Sequence, residues 1–146
     1  MIPFLVIACG NPLRADDGVA WHIARALEEA AHDPTIQIRT VLQLTPELAE
    51  DVSQANTVVF VDAVESGEPG TVLVEPLAEP LFDQALFTHT IAPATLLSLA
   101  RNLYGRTPSR AFLLTVACCC FDFSEELSQP VARAVPEAVR RIRSIE

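Results

Sequence analysis

Residues 3–31 read PFLVIACGNPLRADDGVAWHIARALEEAA, and this stretch decides the fold class. Residues 3–8 form a continuous apolar run with a glycine soon after it, which is typical of a buried strand. From Asp17 onward the apolar residues recur at helical spacing, as Val19, Ile23 and Leu27 illustrate. The stretch therefore predicts a strand, a short connection and a helix from about Asp17 to Ala31.

The same alternation continues along the 146 residues. Strands are predicted over 36–42, 57–61, 71–75 and 111–119. Helices are predicted over 45–54, 93–104 and 128–145, with Pro136 causing a kink or a restart. This order predicts an α/β fold: a three-layer αβα arrangement with a twisted, mostly parallel sheet of about five strands and helices on both faces. The length predicts a single domain spanning residues 1–146.

The charge balance excludes several partners. Ten Lys and Arg residues face nineteen Asp and Glu residues, which gives a net charge of −9, and every cation is an arginine. Such an acidic chain is poorly suited to nucleic acid or to an anionic membrane surface. The absence of lysine excludes Schiff-base chemistry and a Walker-type phosphate site. The motifs G-x-S-x-G, H-E-x-x-H and G-x-G-x-x-G are also absent.

Four cysteines occur, at Cys9, Cys118, Cys119 and Cys120. No C-x-x-C pair is present, which argues against a zinc ribbon or a thioredoxin-like site. We expect these cysteines to be small buried hydrophobes within strands, although Cys9 at a strand end is a weaker candidate nucleophile. Unpaired thiols fit a reducing compartment, so a cytoplasmic location is expected.

Polar residues that could carry chemistry follow the first and third strands. If those strands are neighbours at a topological switch point, their carboxyl ends border one crevice. Asp16 or Asp17 would then lie near Asp62, and His89 precedes a later helix. Two carboxylates and one imidazole form a three-ligand set for Zn²⁺ or Ni²⁺ with one position left open. The alternatives are a helix cap for Asp16 or Asp17, a strand-end turn for Asp62 and a solvated loop position for His89.

Four blocks of the sequence resemble the hydrogenase maturation proteases. Residues 10–19 read GNPLRADDGV, which is similar to that family's signature GNPLRGDDGV. Asp62 in the block 61–64, followed by residues 67–70, resembles the second block, and His89 in 88–90 resembles the third. Residues 126–135 resemble the family's last helix. The blocks occur in the family's order along nearly the whole chain.

This resemblance implies a cytoplasmic endopeptidase, aspartyl-type or metal-dependent, with an α/β fold. Its partner would be the large-subunit precursor of a nickel–iron hydrogenase, from which it removes a short C-terminal extension after nickel insertion. The family's metal-binding positions fall on Asp17, Asp62 and His89. The nickel would be supplied by the substrate, with zinc or cadmium as a surrogate, and the enzyme itself would be a monomer.

Three departures from the family pattern are present. Ala15 replaces a usual glycine, residues 90–92 lack a usual nearby glycine, and residues 118–123 (CCCFDF) replace the usual exit from a strand. Two other functions stay open. One is a metal-checking or docking module that does not cleave, and the other is a different hydrolase in which Asp17 and Asp62 form an acid/base pair.

Overall fold

The computed structural model describes residues 1–31, 33–80 and 91–146. Its strands are β1 (Ile2–Cys9), β2 (Ile36–Val41), β3 (Ala55–Val64), β4 (Val72–Pro76) and β5 (Arg110–Ala117). Its helices are α1 (Val19–Ala31), α2 (Leu48–Gln54), α3 (Pro93–Tyr104) and α4 (Gln129–Ile145), and a short 3₁₀ helix (Ala15–Gly18) precedes α1.

The strands form one five-stranded sheet in the order β2-β1-β3-β5-β4. All neighbouring strands are parallel except β4, which runs antiparallel to β5. The register pairs Leu5 with Val58 and Ala8 with Val61, so the carboxyl ends of β1 and β3 lie side by side. The predicted α/β architecture and the predicted adjacency of the first and third strands are therefore confirmed.

Helices cover both faces of the sheet. α1 contacts α4 on one face and α2 contacts α3 on the other. Successive strand residues point to opposite faces, so Val6 and Val59 enter the core beneath α1 and α4, whereas Leu5 and Val58 enter the core beneath α2 and α3. Because both faces are buried, the central strands are continuous apolar runs.

Two element ends differ from the sequence predictions in ways that matter for the site. β5 ends at Ala117, so the last three cysteines of the chain, Cys118, Cys119 and Cys120, lie beyond the strand. Asp62 lies within β3 and not after it, because β5 pairs with β3 as far as the pair Val64 and Ala117. The apolar run 57–61 predicted a shorter strand. Pairing with β1 extends β3 back to Ala55, and pairing with β5 extends it forward to Val64.

Helix α4 continues through Pro136 without a restart. Pro136 is exposed, while Ala134 and Ala138 on either side of it are buried in the core. Packing of these two alanines holds the helix together across the missing backbone hydrogen bond. Among the described residues, no helix combines the length and apolar character needed to cross a membrane.

Candidate functional site

The connection between β1 and α1 folds back tightly on itself. A methyl group built on Gly18 would lie 2.6 Å from the Cα of Pro12, and one built on Gly10 would overlap the carbonyl oxygen of Asp17. Both glycines are therefore required by close backbone approach. In this loop the backbone amide of Asn11 donates a hydrogen bond to Oδ2 of Asp17 at 2.9 Å. Asp17 is thus held, half-buried, beside the end of β1.

Ala15 adopts a left-handed backbone conformation, with φ of 48°. This conformation costs a residue with a Cβ about 1–2 kcal/mol. The surrounding contacts hold it there, since Ala15 is buried and its amide donates to the Ser124 carbonyl oxygen at 2.7 Å. The position at which the resembling family has glycine is therefore one where the backbone requires positive φ, and this chain tolerates alanine there under strain.

Asp62 is half-buried near the end of β3, with its Oδ1 accepting a hydrogen bond from the Ala63 amide at 2.8 Å. The pKa of Asp62 is raised to about 6. Burial is the main cause and the negative charge of Asp17 adds to it, whereas the hydrogen bond from the Ala63 amide lowers this pKa. Asp17 is therefore near enough for its charge to affect the ionisation of Asp62. Two such groups favour binding either a proton or a cation between them.

A cavity of about 270 Å³ adjoins Asp62 on the side of α2 and α3. Among the described residues, its lining comes from the ends of two strands, from the loop that follows β2 and from the start of α3. These lining residues are Cys9, Leu42, Gln43, Leu44, Asp62, Ile91, Ala92 and Pro93. The cavity therefore lies at the carboxyl ends of two parallel neighbouring strands, which is the usual ligand position in open α/β sheets.

Cys9 lies in a strand as predicted, but it is the last residue of β1, is half-buried and lines this cavity. Burial raises the pKa of the Cys9 thiol to about 11, and the charges of Asp62 and Asp17 add to this effect. A thiol with such a pKa stays protonated at neutral pH. The structure therefore disfavours Cys9 as a nucleophile, and Cys9 serves only to line the cavity.

Asp17 follows the carboxyl end of β1, and Asp62 lies near the carboxyl end of the neighbouring strand β3. His89 lies outside the described residues, so the predicted set of three ligands stays a prediction. The chemistry of the two carboxylates suits a divalent cation, which would relieve their mutual repulsion.

No protein-family model matches the chain, and no curated protein matches it either. Solved structures do match it over almost its whole length. The chain has the fold of the hydrogenase maturation endopeptidases. The hydrogenase maturating endopeptidase HybD from E. coli is 23% identical with a TM-score of 0.76, and the match covers 98% of this chain and 91% of that one.

Two archaeal structures extend this likeness. The hydrogenase maturation protease HycI from Thermococcus kodakarensis is 21% identical, with a TM-score of 0.74 over 99% of this chain and 92% of its own. The hydrogenase 2 maturation peptidase from a Thaumarchaeota archaeon is 24% identical, with a TM-score of 0.71 over 98% of this chain and 97% of its own. The similarity therefore covers the complete fold.

Asp16, the neighbour of Asp17, has a different environment. It is fully buried, and its carboxylate accepts hydrogen bonds from the Ser128 amide at 2.7 Å and the Ser128 hydroxyl at 2.8 Å. The amides of Cys119 and Cys120 also donate to it, each at 3.2 Å. Burial acts to raise the pKa of Asp16, but the combined hydrogen bonds hold this pKa below its ordinary value.

The hydrogen bonds of Asp16 therefore connect the loop after β1 to the segment between β5 and α4. The sequence prediction allowed Asp16 to cap its own helix, whereas the carboxylate in fact binds the residue that precedes α4. This position also suits a carboxylate because the amino end of a helix carries partial positive charge. Its partners lie more than a hundred positions away in sequence, and no local pattern indicates them.

The three consecutive cysteines have three different environments. Cys118 is buried in the core, as predicted, whereas Cys119 is exposed and Cys120 is half-buried. The prediction that all three lie within a strand was wrong, because β5 ends at Ala117, and the prediction of burial is confirmed for Cys118 alone. The Sγ atoms of Cys119 and Cys120 lie 2.8 Å apart.

Proposed function

We propose that this protein is a member of the hydrogenase maturation protease family and an endopeptidase. It would remove the C-terminal extension of a nickel–iron hydrogenase large-subunit precursor after nickel insertion. The observation that carries the proposal is that Asp17 and Asp62 lie beside the carboxyl ends of the neighbouring strands β1 and β3, with the charge of Asp17 contributing to the raised pKa of Asp62. Asp17 is the second acidic residue of the first block that resembles that family, and Asp62 is the aspartate of the second block. The shared fold supports the same assignment.

The nickel of the precursor would be the recognition element. In the proposed complex, Asp17, Asp62 and His89 supply two oxygen ligands and one nitrogen ligand, a donor set suited to a borderline divalent cation. Ile91, which lines the cavity beside Asp62, follows His89 by two positions in sequence. A precursor without nickel leaves the two carboxylates facing each other without a cation, so it binds less well, and this difference in affinity provides the selectivity.

The chain's own residues would orient the reacting groups. The Asn11 amide fixes one oxygen of Asp17, and the Ala63 amide fixes one oxygen of Asp62. Nickel carried by the substrate can polarise a carbonyl group or activate water. Where the ion serves only for docking, one of the two carboxylates acts as the general base for the attacking water.

The test compares purified nickel-loaded and nickel-free precursor as substrates, with the mass of the precursor's C-terminus as the readout. We expect a loss of mass only with the loaded precursor. The variants Asp17→Asn, Asp62→Asn and His89→Ala should each abolish processing while keeping the circular dichroism of the parent protein. Glu28→Gln, an exposed change on α1, is the matched control and should process normally.

Equal processing of both precursors would refute the nickel recognition. Stable binding of the loaded precursor without any loss of mass would instead indicate the docking module that does not cleave. Cleavage that is insensitive to removal of nickel and needs only Asp17 and Asp62 would indicate the acid/base hydrolase.

The remaining features follow from the same proposal. The protein would act in the cytoplasm, where the precursor is assembled, as a single-domain monomer whose crevice stays open to a folded partner. A net charge of −9 would favour encounter with a precursor that presents a basic tail.

A further inference from the structure

A second group of metal-binding side chains lies outside the crevice of Asp17 and Asp62. Asp16, Cys119 and Cys120 each offer a ligand atom, and these atoms all lie within 4.8 Å of one another. Two sulfur atoms and one carboxylate oxygen form a donor set that favours thiophilic divalent cations such as Zn²⁺ and Cd²⁺.

The backbone arranges these donors in advance. The amides of Cys119 and Cys120 both donate to Oδ2 of Asp16, so both side chains start beside the same carboxylate. The thiol of Cys119 lies 3.6 Å from that oxygen. The two sulfur atoms lie 2.8 Å apart, so the side chains must turn to separate the sulfur atoms by about 1 Å more when they bind one tetrahedral ion. The Ser128 amide donates to Oδ1 of Asp16 at 2.7 Å and the Ser128 hydroxyl donates to Oδ2 at 2.8 Å, so Ser128 fixes the orientation of the carboxylate. An ion at Oδ2 would replace the hydrogen bond from this hydroxyl.

Core packing does not account for these two cysteines. Free cysteines that act as small hydrophobes are buried, as Cys118 is, with 3% of its surface exposed. Cys119 is exposed and Cys120 is half-buried, so an ion can reach both sulfur atoms from solvent. Exposed neighbouring thiols next to a fixed carboxylate are better explained by a ligand that they share.

We propose that Asp16, Cys119 and Cys120 form a second metal site, specific for a thiophilic divalent cation of the Zn²⁺ class. Binding replaces the two S–H bonds with two metal–sulfur bonds and releases two protons to solvent, with no change in oxidation state. A water molecule completes a four-coordinate site.

An ion at this site would link the two loops that border the crevice. Asp16 belongs to the 3₁₀ helix that also carries Asp17, and the cysteines belong to the segment that leads into α4. The ion would therefore stabilise the position of the Asp17 loop without taking part in the reaction.

The test is a Cd²⁺ titration of the metal-free protein under a phosphine reductant, which keeps the thiols reduced. We expect the ultraviolet charge-transfer absorption of cadmium thiolate to rise to saturation at one ion per chain, with two protons released per ion. The double variant Cys119→Ser/Cys120→Ser should lose this absorption. Cys9→Ser should keep it, because Cys9 lies in the other cavity.

The same titration separates this site from the proposed nickel crevice. Asp17→Asn/His89→Ala should keep the full thiolate absorption and should show a rise in melting temperature with Cd²⁺. Adding Cys119→Ser/Cys120→Ser to that variant should abolish the rise. The proposal is overturned if the unsubstituted protein shows no thiolate absorption, or if the double cysteine variant absorbs as strongly as the unsubstituted protein. Neither result would affect the processing assay of the proposed function.

Discussion

Replacing Asp62 by asparagine should make the protein more stable at neutral pH while removing its proposed function. Burial and the charge of Asp17 raise the pKa of Asp62 from 3.8 to about 6. A shift of this size corresponds to an upper limit of about 3 kcal/mol. Because the side chain is partly open to solvent, screening reduces the expected gain to about 1–2 kcal/mol.

The direction of the effect depends on pH. A carboxyl whose pKa is raised on folding favours the folded protein fully below its unfolded value of 3.8 and loses that contribution as the pH rises through about 6. Asp62→Asn, which is neutral throughout, should therefore gain stability over the parent protein at about pH 8 and show little difference at about pH 4.

Urea unfolding of the two proteins at both pH values measures this difference. Glu28→Gln, an exposed control on α1, should change the free energy of unfolding by less than about 0.5 kcal/mol at either pH. If Asp62→Asn lowers stability at high pH, or changes it equally at both pH values, burial and the charge of Asp17 do not raise the pKa of Asp62 as the structure indicates.

Three further substitutions test the loop geometry. Asp16→Asn should destabilise the fold by about 3–5 kcal/mol at neutral pH, because the NH₂ group of asparagine would face donors that now bind a carboxylate. Urea unfolding measures this loss of stability. A change below about 1 kcal/mol would contradict the prediction. Ala15→Gly should raise the free energy of unfolding by about 0.5 kcal/mol, because glycine adopts a positive φ without strain. The control Ala132→Gly, on the exposed side of α4, should lower the free energy of unfolding by about 1 kcal/mol. If both variants are less stable than the parent protein, Ala15 is unstrained. Gly18→Ala should lower the melting temperature and the rate of precursor processing together, because its methyl group would collide with the Pro12 backbone; unchanged processing would show that the loop can move without displacing Asp17.

The sequence predicts the fold well where local pattern and topology agree. The apolar runs around Leu5 and Val58 predict central strands, and their adjacency follows from the order of elements in an α/β chain. Helix α3 has its predicted limits, because Pro93 begins it and Gly105 ends it with a φ of 73°. These signals are local, so they are readable without knowledge of the tertiary structure.

The features that the sequence does not predict depend on distant contacts. The strand pairing that carries β3 past Asp62 comes from β5, and the continuity of α4 through Pro136 comes from packing of its buried face. The role of Asp16 depends on amides from Cys119 and Cys120. A single sequence gives no indication of such pairings, so the choice between Asp16 and Asp17 depends on the family resemblance and not on spacing.

The central claim is that Asp17, Asp62 and His89 share one ion at the carboxyl edge of the sheet. Anomalous diffraction from crystals soaked with nickel measures this directly. The proposal predicts a nickel peak within bonding distance of all three side chains, whether or not a second ion occupies the site of Asp16, Cys119 and Cys120. An empty crevice, or an occupied crevice from which the His89 imidazole is absent, would contradict it.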